Sequence, residues 1–115
     1  MKRLEDVKLA SNEREALAEI RRRLFDALSI EQIILFGSVA RGEADEESDV
    51  DLLVVTTEPM TLNERHEKIT YAITEVNLQY DTNFSTLVVD KQAWENGVFT
   101  VLPIKQEIVK DGVPV

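Results

Sequence analysis

The tightest constraint on this chain is the order of one short stretch. The apolar run Ile33-Ile34-Leu35-Phe36 ends at Gly37-Ser38, ten residues intervene, and Asp49-Val50-Asp51 opens a second apolar run, Leu52 to Val55. Short apolar runs bounded by turn signals read as buried strands. Gly37 has no Cβ, so the backbone can turn sharply there and come close to a ligand. Ser38 offers a hydroxyl and an N–H where a helical turn begins, a favourable place for phosphate oxygens. Arg41 lies one turn further on, and its planar fork of donors can reach the same anion.

Asp49 and Asp51 are the other half of the pattern. Residues two apart on a strand share a face, about 6.6–7 Å apart at Cα. Their carboxylates can converge on a hard cation such as Mg²⁺, which also keeps waters and substrate phosphates as ligands. Unpaired, the two acids repel each other, and a divalent ion removes that penalty. With a third carboxylate, such a site holds two metals ~3.5–4 Å apart for a phosphoryl-transfer step. Taken singly, a Gly-Ser pair is a turn and an Asp-x-Asp a solubilising strand edge. The functional reading rests on their conjunction.

The chain has 115 residues, which fits one domain over 1–115 with a modest core. It carries 22 acidic against 13 basic residues, a formal charge of −9. Phosphate backbones are gripped by basic faces, so free long DNA or RNA is a poor partner. A small anion escorted by a divalent metal is another matter, because carboxylates then attract the metal. No apolar run reaches the ~20 residues of a membrane span, no signal-peptide h-region follows Met1, and cysteine is absent. The expectation is a cytoplasmic protein without a membrane; an oligomer is compatible with this composition.

Apolar periodicity places a helix over about residues 12 to 28, with Asn12 and Glu15 at capping-box spacing. The segment from Val39 to Ser48 is too poor in apolar residues for a core element. A second capping box, Thr61 and Glu64, opens a helix to about Leu78, with a stripe of Leu62, Ile69, Ala72, Ile73 and Val76. A third strand is expected from Asn83 to Val89. A last helix starts near Pro103 and stops at Gly112. The order α-β-loop-β-α-β-α reads as an α/β (α+β) fold, a small mixed sheet of three or more strands flanked by helices.

At this point the residues resemble a known family. Gly37-Ser38, ten residues, then Asp49-Val50-Asp51 match the signature of the DNA polymerase beta nucleotidyltransferase superfamily. The longer string from Phe36 to Glu43 and from Ser48 to Val54 resembles its smallest branch, the minimal nucleotidyltransferases. The resemblance implies a polymerase-beta-like fold, Mg²⁺ held by Asp49 and Asp51, and a nucleoside triphosphate such as ATP at Gly37-Ser38. It implies transfer of a nucleoside monophosphate, AMP, to a hydroxyl with release of pyrophosphate. It also implies a partner, since many of this branch resemble antitoxins paired with a small helical HEPN ribonuclease. The alternative is a catalytically weak module that binds nucleotide, or neutralises its partner by contact alone.

Family members usually carry a third carboxylate on the next strand. Asp81 is the candidate acid, and it shares a face with Asn83 and Ser85 if the strand already includes it. Counted from the strand's end, Ser85 sits nearer the usual position, and a serine cannot replace that acid as base or metal ligand. Other residues read as structural by default. Arg21, Arg22 and Arg23 form a solvated helix face; His66 is an exposed helix residue without a second ligand in view. Trp94 packs at the core's edge behind a cap at Asp90. Glu43, Asp45, Glu46 and Glu47 form a solvated acidic loop, or one that meets a basic partner.

Overall fold

The central strand of the fold, β2 (Val50–Thr56), is buried on both faces, which explains its unbroken apolar run. Alternate side chains go to different cores. Val50, Leu52 and Val54 join Leu17, Ile20, Leu24, Ile69, Ile73 and Val76, whereas Leu53 and Val55 join Val89, Trp94 and Ile108. The computed structural model describes residues 2–45 and 49–115; Glu46, Glu47 and Ser48 of the acidic loop lie outside the described residues.

Around β2 the chain runs α1 (Ser11–Ala27), β1 (Ile30–Phe36), α2 (Ser38–Arg41), then β2. It continues through α3 (Leu62–Arg65), a π-helical turn (His66–Thr70), α4 (Tyr71–Tyr80) and β3 (Phe84–Asp90). The end comprises α5 (Lys91–Asn96), a 3-10 turn (Val98–Val101), α6 (Pro103–Asp111) and β4 (Val113–Pro114). The sheet order is β3-β2-β1-β4. β1 is antiparallel to β2 and β4, while β2 and β3 are parallel. The parallel pair is bridged by the α3–α4 crossover, as parallel strands require. α1 and α4 supply the core on one face; α5 and α6 cover the other. This is the mixed sheet with flanking helices that the sequence led us to expect. No helix among the described residues is long and apolar enough to cross a membrane.

Several details depart from the sequence reading. Asn12 is not a cap: α1 starts at Ser11, the Glu13 carboxylate accepts the Ala10 N–H at 2.8 Å, and the Asn12 amide donates to the carbonyls of Tyr80 and Asp81. The Thr61–Glu64 box is present in both directions. Leu62, however, is 81% exposed. The π turn inserts an extra residue into the helical repeat, so Leu62 falls out of phase with the buried stripe Ile69, Ile73 and Val76. Val39 and Ala40 are buried in α2, a core element in a stretch that looked too polar for one. β4 was not foreseen, because two residues leave no period to read. Trp94 is buried beside Phe99 at 6.2 Å, and the Asp90 carboxylate accepts the Ala93 N–H at 3.0 Å to cap α5.

Asn77 near the end of α4 sets where β3 begins. Its amide donates to the Phe84 carbonyl at 3.0 Å, while its side-chain oxygen accepts the Phe84 N–H at 2.9 Å and the Thr82 hydroxyl at 3.0 Å. Replacing it strands a buried strand's polar groups. Asn77→Ala is expected to cost about 1–3 kcal/mol in denaturant unfolding, against little change for Gln79→Ala on the exposed side of the same helix.

Candidate active site

The antiparallel register sets Phe36 opposite Asp51, so β1 ends beside the start of β2. The chain then passes through Gly37 at φ +82°, ψ −160°, a conformation that side chains rarely adopt. A Cβ at this position would land on Asp51 Oδ2. The backbone is therefore pressed against the carboxylate. Ser38 opens α2, whose turn is closed by the Arg41 N–H donating to the Gly37 carbonyl at 3.1 Å. The first N–H groups of a helix have no partner within it. Val39 and Ala40, buried beneath, fix this turn to the core.

The parallel register sets Ser85 of β3 opposite Asp51. Ser85 Oγ donates to Asp51 Oδ1 at 2.8 Å, and Asn83 Nδ2 donates to Asp49 Oδ1. The Val50 N–H donates to the Asn83 carbonyl at 3.0 Å, which locks the two segments in step. Asp49 is exposed and Asp51 half-buried. Each acid thus receives one neutral donor from the β3 side. Alternation puts Asp51 and Ser85 on the α5–α6 face of the sheet, with Asp51 half-buried and Ser85 exposed.

Asp81 stands elsewhere. It ends α4 in the left-handed conformation (φ 54°, ψ 52°), three residues before β3, so strand alternation does not carry it to the face of Ser85. It is exposed and lines a cleft of about 680 Å³ that also touches Asn12, Val39, Ala44 and Asn83. Among the described residues, no three of His, Asp and Glu gather closely enough to hold a metal ion. Arg41 pairs with Glu43 at 3.0 Å and Glu107 at 2.7 Å. The hydrogen bond that Arg41 donates to the Glu43 carboxylate is the main cause that raises its pKa. Its fork is already engaged by carboxylates, one of them on α6. Glu107 is distant in sequence, so that pairing had no local signal. The Asn83 and Ser85 bonds follow the parallel register, which sets each residue 34 positions after its aspartate.

The donor set suits a hard divalent cation. Two carboxylates leave a strand start in company, and each keeps acceptor capacity beyond the one bond it receives from β3. Gly37 leaves Asp51 Oδ2 room that any Cβ would take.

The mixed sheet thus carries the Gly37-Ser38 turn at the end of one strand and the acids Asp49 and Asp51 at the start of its neighbour. The chain belongs to the nucleotidyltransferase domain family, whose model matches residues 14–110. It is 44% identical over 62 residues to a protein of Methanocaldococcus jannaschii called a "putative protein adenylyltransferase", covering 54% of this chain and 62% of that one. The match therefore spans less than two thirds of the relative's length. Among solved structures, a toxin–antitoxin complex with AMP-PNP aligns with a TM-score of 0.58 at 20% identity, covering 90% of this chain and 71% of that one. A "putative minimal nucleotidyltransferase" aligns with a TM-score of 0.54 at 22% identity, covering 91% and 90%. At these identities the structures establish a shared fold.

Two glycines with positive φ separate backbone strain from site geometry. Gly42→Ala imposes about 1–2 kcal/mol of left-handed strain and Gly37→Ala, at φ +82° and ψ −160°, about 1–3 kcal/mol, but a Cβ at Gly42 meets nothing within 4 Å. Thermal unfolding should therefore register both. Calorimetric binding of Mg²⁺ with a non-hydrolysable triphosphate should weaken in Gly37→Ala alone.

Proposed function

We propose that this nucleotidyltransferase moves AMP from ATP to a hydroxyl on a partner protein, with Mg²⁺ held by Asp49 and Asp51. The observation that carries the reading is the packing of Gly37 against Asp51, which sets the acid beside the turn that would take the triphosphate. Similarity to a protein adenylyltransferase supports AMP and a protein acceptor. Likeness to a toxin–antitoxin structure with AMP-PNP supports an antitoxin role for this chain, and the motif's resemblance to the minimal nucleotidyltransferases implies a small helical HEPN-type protein as the acceptor.

In this scheme the chain's residues mainly bind and orient. The Gly37 turn brings the backbone close to the phosphates, and Ser38 offers its hydroxyl and N–H to their oxygens. Asn83 and Ser85 hold the two carboxylates in place by donating to them. Bound there, the cation would neutralise polyphosphate charge. The acceptor oxygen then bonds to the α-phosphorus as the bond to the pyrophosphate group breaks, and pyrophosphate leaves. The net charge of −9 suits a basic protein partner better than free nucleic acid.

One observation favours a second reading, in which the chain neutralises its partner by contact with little transfer: Ser85, not an acid, faces Asp51. Labelled ATP with Mg²⁺ and the partner separates the two. Transfer should place label on the partner, and Asp49→Asn or Asp51→Asn should cut labelling by on the order of 100-fold or more, since even loss of a group that merely holds a metal ligand costs ~10–100-fold. Full suppression of the partner by a variant that carries both substitutions and transfers no label would leave contact as the mechanism.

A further inference from the structure

We infer that the site carries one divalent cation, not two, and that Ser85 sets this number; the inference rests on the transfer reading above. Two cations ~3.5–4 Å apart need carboxylate oxygens to screen their mutual repulsion. Here the acids at hand are Asp49 and Asp51, and no third joins them among the described residues. The position next to Asp51 across the parallel ladder belongs to Ser85.

The bonds to these acids matter as much as the missing charge. Ser85 Oγ donates its proton to Asp51 Oδ1 at 2.8 Å, and the Asn83 amide donates to Asp49 Oδ1. A hydroxyl or amide proton seated on a lone pair occupies it and presents partial positive charge to any approaching cation. Both aspartates are engaged on the β3 side in this way. The oxygens that remain serve one ion between the two aspartates, and Ser85 brings no carboxylate charge beside Asp51 to offset the repulsion of a second. The neutral pair Asn83 and Ser85 also brings no base to the two acids from this end of β3. In the transfer step the acceptor oxygen bonds to the α-phosphorus, pyrophosphate departs with the electrons of the broken P–O bond, and the hydroxyl proton passes to a basic group carried by the acceptor protein.

Restoring the acid tests the claim without relying on turnover. The full chain is loaded with Mn²⁺ and a non-hydrolysable ATP analogue, and the protein-bound fraction is counted and examined by electron paramagnetic resonance. Wild type should retain one Mn²⁺ per chain with the spectrum of an isolated ion. Ser85→Asp should retain two, a doubling, with the exchange-coupled signature of a close pair. Ser85 is exposed, so the variant should fold; Ser85→Glu repeats the test with a longer reach if it does not. Two coupled ions in wild type overturn the inference while leaving the transfer reading intact. One ion in wild type and in both acidic variants overturns the role of Ser85. Failure of wild type to retain either analogue or metal sinks the transfer reading, and the inference falls with it.

Discussion

The contact between the Gly37 backbone and the Asp51 carboxylate is the constraint on which the rest of the site depends. It exists because β1 and β2 pair antiparallel with Phe36 opposite Asp51, so that one strand's end meets the other's beginning. The backbone can then pass across the acid only through a residue without a Cβ, in a conformation that residue alone tolerates. Local conformational freedom at Gly37 and long-range strand pairing are therefore the same requirement seen from two sides. Buried Val39 and Ala40 hold the following turn down, which keeps Ser38 from drifting away from the acids.

Much of this was legible before any coordinates. The buried runs Ile33 to Phe36 and Leu52 to Val55 announced two core strands. The glycine and aspartates at their ends announced that something polar happens where they meet. What the sequence left dark falls into physical kinds. Pairing across long separations, such as Arg41 with Glu107, has no local signature. The two-residue strand β4 is too short to carry a period. A π turn resets helical phase without changing composition, which is why Leu62 is exposed while Ile69 is buried. Asn12 had the spacing of a cap, yet it lies inside α1, and its amide donates to the carbonyls of Tyr80 and Asp81.

The two faces of the sheet divide the labour. The α1–α4 face carries the larger core, including Leu17, Ile20, Leu24, Ile69 and Val76. The α5–α6 face has a smaller cluster around Leu53, Val55, Trp94 and Ile108. On that face the alternation that buries Leu53 and Val55 leaves Asp51 half-buried at the start of β2, with Asp49, just ahead of the strand, exposed. An acid pair placed on the other face would lie beneath α1 and α4, where burial of charge is costly. The position of the site thus follows from unequal coverage as much as from the motif.

The network behind β3 shows why a serine and an asparagine can sit steadily beside two carboxylates. Asn77 grips both the N–H and the carbonyl of Phe84, the residue between Asn83 and Ser85. Asn12 ties α1 to the end of α4 just before them. With the backbone on both sides of Phe84 held, Asn83 and Ser85 are aimed at Asp49 and Asp51 by β-strand alternation rather than by their own packing. Exposed polar side chains on an untethered strand entry would trade these partners for water at little cost. The scaffold therefore supplies the order, and the chemistry at the two positions is decided by side-chain identity alone.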